Sequence, residues 1–366
     1  MLKERDDINI SAPTIKAILN TVGITSPKKK RNPKKHIRRK RHDHEGSLVQ
    51  TDATPHDFLG TGKKCCLHGI VDDATGKVLG LYITEHECLE GYFNVFEQMI
   101  ENFGIPASVY ADRHTIFASP KTDKLTIEDE LAGIQTNDTQ LGRALRELCI
   151  TLIKARSPQA KGRIERLWGT LQDRLTIELR INGITDFEAA NEFLRFYIPK
   201  YNQRFKVEAA ESMSLFASNE HDLINILCVK EKRKLDIGGA FSFYGQSFVV
   251  DGDILPKSSI EVAAHRRYGI FALHKGQSYP VKRIPKPKRS KPGQLKAEYK
   301  PYIPPDSHYH KYGKYVFEQH SNEYTDSEIL MILDELFSKN IYESIAKHIS
   351  NRRYQSASFA DSSELE

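Results

Sequence analysis

The chain has 366 residues, 39% of them apolar, enough to bury a sizeable core and to form two or three domains with tails. It opens with no charged start followed by an apolar stretch and holds no apolar run of membrane-spanning length, which argues against secretion or insertion in a membrane. Its five cysteines (Cys65, Cys66, Cys88, Cys149, Cys228) form no CxxC pair and no even framework, the pattern of reduced thiols in a cytosol, and nothing resembles a zinc module.

The net charge of +6 hides an asymmetry. Ten basic residues fall in one short stretch: Lys28, Lys29, Lys30, Arg31, Lys34, Lys35, Arg38, Arg39, Lys40 and Arg41. Removing their ten charges from +6 leaves the rest of the chain at −4. Pro27 and Pro33 interrupt the stretch and keep it extended. A solvated linker is the plain reading; a phosphate-binding arm is favoured here because of the acidic residues described below.

In chain order, residues 11–22 predict a short helix with Ser11 as N-cap, Pro13 in the first turn, Ile15, Ile18, Leu19 and Val22 on one face and Gly23 at its end. Strands are expected at 46–54, 65–71 and 78–84, with residues 72–77 as the turn between the second and third. Residues 88–103 carry a helical stripe of Leu89, Tyr92, Phe93, Phe96 and Ile100, closed by Gly104. A fourth strand, 107–111, leads to Asp112. A helix over 139–148, a fifth strand over 149–154, a helix opened by Ser157 and Pro158, and another over 186–201 complete a mixed α/β unit.

Three carboxylates stand out in that order. Asp52 and Asp112 each end an apolar strand, and Glu165 lies in the first part of a helix whose buried stripe is Ile164, Leu167, Trp168, Leu171, Leu175 and Leu179. Two strand ends and a facing helix can gather three acidic groups at one point, the donor set that two hard divalent cations require in a phosphodiester site. Arg156, Lys161, Arg163 and Arg166 surround Glu165 as candidate DNA contacts. Gly162, costly inside a helix, suggests close approach of a DNA backbone or another chain segment. Asp57, Asp72 and Asp73 read as turn residues; His56 and His114, beside the aspartates, either pack or touch a phosphate or orient water, with packing favoured. There is neither a nucleophile elbow nor a glycine-rich phosphate loop.

Farther on, residues 235–284 alternate short apolar runs with turns and predict a small β-barrel. A second basic, proline-broken segment spans 282–291. Thr325 and Glu328 have capping-box spacing ahead of an amphipathic helix ending near Phe337, which either docks on its own barrel or pairs with another subunit. The serine-rich end from residue 355 is expected to be disordered.

The stretches LVQTDATPHDFL, GIVDDATGKVLG, VYADRHTIF and SPQAKGRIERLWGTLQDRL resemble the catalytic core of DDE transposases with a retroviral-integrase fold, and most of all those of ISNCY-type bacterial insertion sequences, over about residues 8–285. The resemblance implies a ribonuclease-H-like mixed sheet flanked by helices and followed by a small β-barrel, with the catalytic and metal-binding triad on Asp52, Asp112 and Glu165. It also implies Mg²⁺ as cofactor with Mn²⁺ able to substitute, hydrolysis at the ends of the element, and strand transfer of the 3′-hydroxyl into target DNA. The partners would be DNA and further copies of the chain assembled on it, in a bacterial cytosol and nucleoid. The expected divisions are a helix-turn-helix remnant (1–25), a basic linker (26–45), the catalytic core (46–205), the barrel (235–285), and a linker, helix and tail (286–366). Two rivals stay open: a truncated or domesticated DNA-binding protein without catalysis, which the late start of the chain would favour, and a simple nuclease of the same fold.

Overall fold

The computed structural model describes residues 6–25, 39–112, 139–154, 161–285 and 327–338. The chain separates into two units, Met1–Lys40 and Arg41–Glu366. In the first, helix α1 (Ala12–Thr21) begins as its sequence predicts: the Ser11 hydroxyl accepts from the Thr14 N–H at 3.3 Å, and proline occupies the first turn. Gly23 ends it at φ +76°. The helix buries no residue. Residues 28–38 of the basic stretch lie outside the described residues.

The second unit opens with a five-stranded sheet. Its strands are β1 (Val49–His56), β2 (Cys65–Asp72), β3 (Val78–Thr84), β4 (Ser108–Ala111) and β5 (Thr151–Lys154), in the order β3-β2-β1-β4-β5. The first three form an antiparallel meander, whereas β4 and β5 run parallel to β1. That mixture is the expected ribonuclease-H-like arrangement. All eight residues of β2 are buried, because helices cover both faces of the sheet. On one face α2 (Leu89–Asn102) packs Tyr92, Phe96 and Met99 against Val49, Ile70 and Leu79, with α3 (Gln140–Glu147) alongside. On the other, α4 (Gly162–Ile181) and α5 (Phe187–Phe205) bring Ile164, Trp168, Leu171 and Leu194 onto Leu67, Leu81 and Ile83. Two side-chain amides fasten α5 to β3: Asn191 and Asn202 each donate to and accept from the backbone of Ile83 and Val78.

After a single turn of helix, α6 (Leu223–Ile226), comes a six-stranded antiparallel sheet. Its strands are β6 (Val229–Lys234), β7 (Ala240–Phe243), β8 (Gln246–Val250), β9 (Ser259–His265), β10 (Gly269–His274) and β11 (Gln277–Ile284), ordered β6-β9-β10-β11-β8-β7. The end strands β6 and β7 approach each other, where Arg233 Nε donates to the Ser242 carbonyl at 3.1 Å, so the barrel is nearly closed. It begins at residue 229, earlier than the alternation of apolar runs indicates, because β6 (VKEKRK) is written almost wholly in charged residues. Residues 282–284, the start of the second basic segment, belong to β11.

Helix α7 (Ser327–Phe337) settles on the chain's own α2 and β10. Phe337 meets Phe93 edge to face with ring centroids 6.2 Å apart, and Asp334 pairs with Arg266 at 2.6 Å. Thr325, expected as its cap, lies outside the described residues.

Candidate functional site

The site begins with strand register. β1 and β4 are paired in parallel with Val49 opposite Val109 and Gln50 opposite Tyr110. The offset of 60 carries forward to Asp52 and Asp112 at one level; Asp52 lies within β1, not at its end as expected, because pairing with β2 continues to His56, whereas Asp112 follows the last residue of β4. Asp52 is part-shielded, its side chain 25% exposed, while Asp112 stands just past the end of β4 at 61%.

Between them lies a lysine. Lys161, 7% exposed, sets its Nζ 3.1 Å from Asp52 Oδ1 and 3.3 Å from Asp112 Oδ2. It occupies the N-cap position of α4 and makes no side-chain cap there, a place where the helix dipole disfavours a cation. The two aspartates offset that cost. The second oxygen of Asp52 accepts from Trp168 Nε1 at 3.4 Å. Trp168 can lie this close because the residue beneath it, Gly69, has no side chain: a Cβ there would come 2.7 Å from the indole Cη2. Gly69 is also the cross-strand partner of Asp52.

Glu165 is exposed in the first turn of α4, one turn beyond Lys161. Its helix is anchored from below. Gln50, fully buried in β1, accepts from the Ile164 N–H at 3.3 Å and donates through Nε2 to Asp73 Oδ1 at 2.9 Å. The buried Asp73 carboxylate also accepts from the His42 N–H at 3.0 Å and faces Arg163 Nε at 3.6 Å. Asp73 therefore does more than shape a turn. Asp72 behaves as a turn residue, holding the Gly46 N–H and both the N–H and hydroxyl of Thr75; burial nevertheless pushes its carboxyl above the usual carboxylate range.

The residues proposed from sequence divide accordingly. Asp52 and Asp112 are brought together, and Glu165 projects from the adjoining helix. Among the described residues no three His, Cys, Asp or Glu side chains are gathered closely enough to hold a metal ion. Even so, the two aspartates converge on a single position already filled by an ammonium group, and hard oxygen donors around a cationic position suit a divalent ion such as Mg²⁺.

Of the basic candidates, Lys161 and Arg163 face protein carboxylates, and Arg41 Nη1 donates to the carbonyls of Asp73 and Ala74 at 3.3 and 3.0 Å. Arg39, Lys40 and Arg166 are exposed. Lys28, Lys29, Lys30, Arg31, Lys34, Lys35, Arg38, Arg156 and His114 lie outside the described residues. His56 packs edge to face on Phe58, centroids 5.0 Å apart, and Asp57 accepts the N–H groups of Thr61 and Gly62 in a turn. No described part of the chain crowds Gly162, where a Cβ would have nothing within 4 Å, so close approach of such a segment does not account for it. Sequence reasoning missed Gln50 and Asp73 as anchors and Lys161 as an aspartate partner. The available signal was an amide inside the otherwise apolar LVQT run.

Residues 42–135 match the integrase core domain family. The transposase of insertion sequence IS1202 from Streptococcus pneumoniae is 33% identical over 281 residues, 68% of this chain and 59% of its own length. The y4bF protein of Sinorhizobium fredii is 32% identical over 296 residues, 79% of this chain and 63% of its own. The chain thus spans about three fifths of the length of these relatives. Among solved structures, the catalytic core domain of HTLV-2 integrase in complex with magnesium (trimeric form) aligns over 41% of this chain and 82% of its own at 19% identity, with a TM-score of 0.29. The integrase-core match contains both Asp52 and Asp112, and Glu165 follows it on the helix anchored to the same strand.

Proposed function

We propose that this chain is a DDE transposase that cuts the ends of its own element and joins them to target DNA. The observation carrying this reading is the convergence of Asp52 and Asp112 on one cationic position, inside a stretch that matches the integrase core. Mg²⁺ held by Asp52, Asp112 and Glu165 would act as a Lewis acid on the nucleophile and the leaving oxygen of the phosphodiester. The protein's own part is to fix the carboxylates. Strand pairing sets the level of the two aspartates, Trp168 holds one oxygen of Asp52, and Gln50 sets the start of the helix that carries Glu165.

Arg166 and the exposed Arg39 and Lys40, with residues 28–38, would bind phosphates, a sequence-independent attraction. Joining two ends into one target needs two such sites at a fixed separation, so the working form is a multimer built on DNA. Similarity to IS1202 transposase favours this reading over a nuclease or a non-catalytic DNA-binding protein. ISNCY-type ancestry and a bacterial cytosolic location belong to the same proposal.

Asp52→Asn, Asp112→Asn and Glu165→Gln are the test, assayed on element-end DNA with Mg²⁺ or Mn²⁺. Each is expected to reduce cleavage by at least a thousandfold, about 4 kcal/mol of barrier, while duplex binding persists. Near wild-type cutting by any of them would remove that carboxylate from the site. Hydrolysis without joining would favour the nuclease.

A further inference from the structure

We infer that Lys161 is an exchangeable counter-ion: its ammonium holds the Asp52–Asp112 pair together until a divalent cation enters and displaces it. This rests on the reading of those aspartates as cation ligands. Lys161 lies almost wholly out of solvent, with its Nζ within 3.3 Å of an oxygen of each aspartate. A lysine rarely enters such a position unless paired, and the start of a helix repels it further. Its place is therefore set by the two carboxylates, which in turn would repel each other between the neighbouring strands β1 and β4 without it.

A divalent ion changes that balance. Carboxylate oxygens bind Mg²⁺ at about 2.0–2.1 Å, so an ion shared by the two aspartates would take up the space and the charge that Lys161 now provides. Both cations cannot be held there together. The exit is short, since Asp112 is mostly exposed and the lysine stem is long and flexible. Exchange has two consequences. The aspartates stay aligned before the metal arrives, and the metal binds more weakly than to the same carboxylates without the lysine, because it must first displace an ion pair.

Mn²⁺ binding to the DNA-free protein tests this, followed by calorimetry and by emission of Trp168, the chain's single tryptophan, which donates to Asp52. Lys161→Gln is expected to bind Mn²⁺ at least threefold more tightly than wild type and to have a lower Tm without metal. Asp52→Asn should not bind. In the wild-type protein, acetylation of Lys161 read by mass spectrometry should rise severalfold on adding Mn²⁺, a measurement that does not depend on the variant folding. Binding to wild type that disappears in Asp52→Asn, with no rise in Lys161 labelling or no tightening in folded Lys161→Gln, would overturn the counter-ion and leave the metal reading standing. No Mn²⁺ binding to any of these proteins would overturn both.

Discussion

Gln50 and Asp73, both fully buried, are joined by a 2.9 Å hydrogen bond from Nε2 to Oδ1, and through them the first turn of the Glu165 helix is tied to the central strand of the sheet. Ile164 donates its N–H to the other end of the same amide. That N–H is one of the four that a helix start leaves without an intrahelical acceptor, and Lys161 supplies no side-chain cap. Gln50 therefore works as a remote cap.

Replacing it tests that role. Gln50→Leu keeps approximate volume but strips a donor from a buried carboxylate and an acceptor from the helix start, and should cost about 2–4 kcal/mol in urea unfolding. Because Glu165 is the next residue after Ile164, catalysis at element ends should fall even where the protein remains folded. Gln50→Glu should be worse, since it places a second carboxylate against Asp73. Unchanged stability and activity in Gln50→Leu would mean that the α4 stripe alone positions the helix.

Much of this was legible beforehand. The alternation of strand and helix, the stripe on α4 and the turn at 72–77 follow from hydrophobic period and turn residues, and they put Asp52 on a strand, Asp112 just past one and Glu165 on a helix, although Asp52 lies inside β1, not at its end. Side-chain pairing was not legible, because a lysine beside a catalytic-type glutamate has the same sequence signature whether it meets DNA or folds back on an aspartate. Nor was β6, whose charged residues conceal a strand held by pairing with β9. Periodicity reports burial, and edge strands of a small barrel bury too little to show it.

Helix α7 offers a second prediction. Its apolar stripe is expressed within the chain, where Phe337 is 1% exposed and Ile332 and Leu333 lie in the same core as α2. Arg266 on the barrel bridges Asp334 of α7 at 2.6 Å and Glu90 of α2 at 3.5 Å. The helix thus joins the barrel to α2 of the five-stranded unit. Phe337→Ala should cost about 3–5 kcal/mol, with a midpoint independent of protein concentration. A loss that deepens on dilution would instead assign the helix to contact between subunits.

Charge in the basic stretch gives a third. Replacing Lys28 to Arg41 by neutral residues, while sparing Arg41 because of its contacts with the 73–74 carbonyls, removes nine positive charges. Binding to all duplexes should weaken alike and its salt dependence should flatten, because each phosphate contact releases a counterion. A titration whose salt slope is unchanged would take the stretch off the DNA.

The last prediction concerns acid. His68 sits fully buried on β2 against Tyr92, ring centroids 4.9 Å apart, and its Nε2 accepts the Cys88 N–H at 3.3 Å. Burial lowers its pKa to about 3, and burial also lowers that of His265 to about 4, with Arg267 adding to the effect. Unfolded histidine takes up a proton near pH 6.5. Between that pH and the folded values these two histidines bind more protons in the unfolded chain, so the stability they contribute falls as the pH drops through this window, by up to about 1.4 kcal/mol per pH unit for each histidine. The lost stability is fully present above pH 7. His68→Asn is expected to be less stable at neutral pH, since it gives up ring packing, but to lose less between pH 6.5 and 4 than wild type does. Urea midpoints measured at half-unit steps decide it: parallel curves for the two proteins would show that His68 does not carry the acid sensitivity.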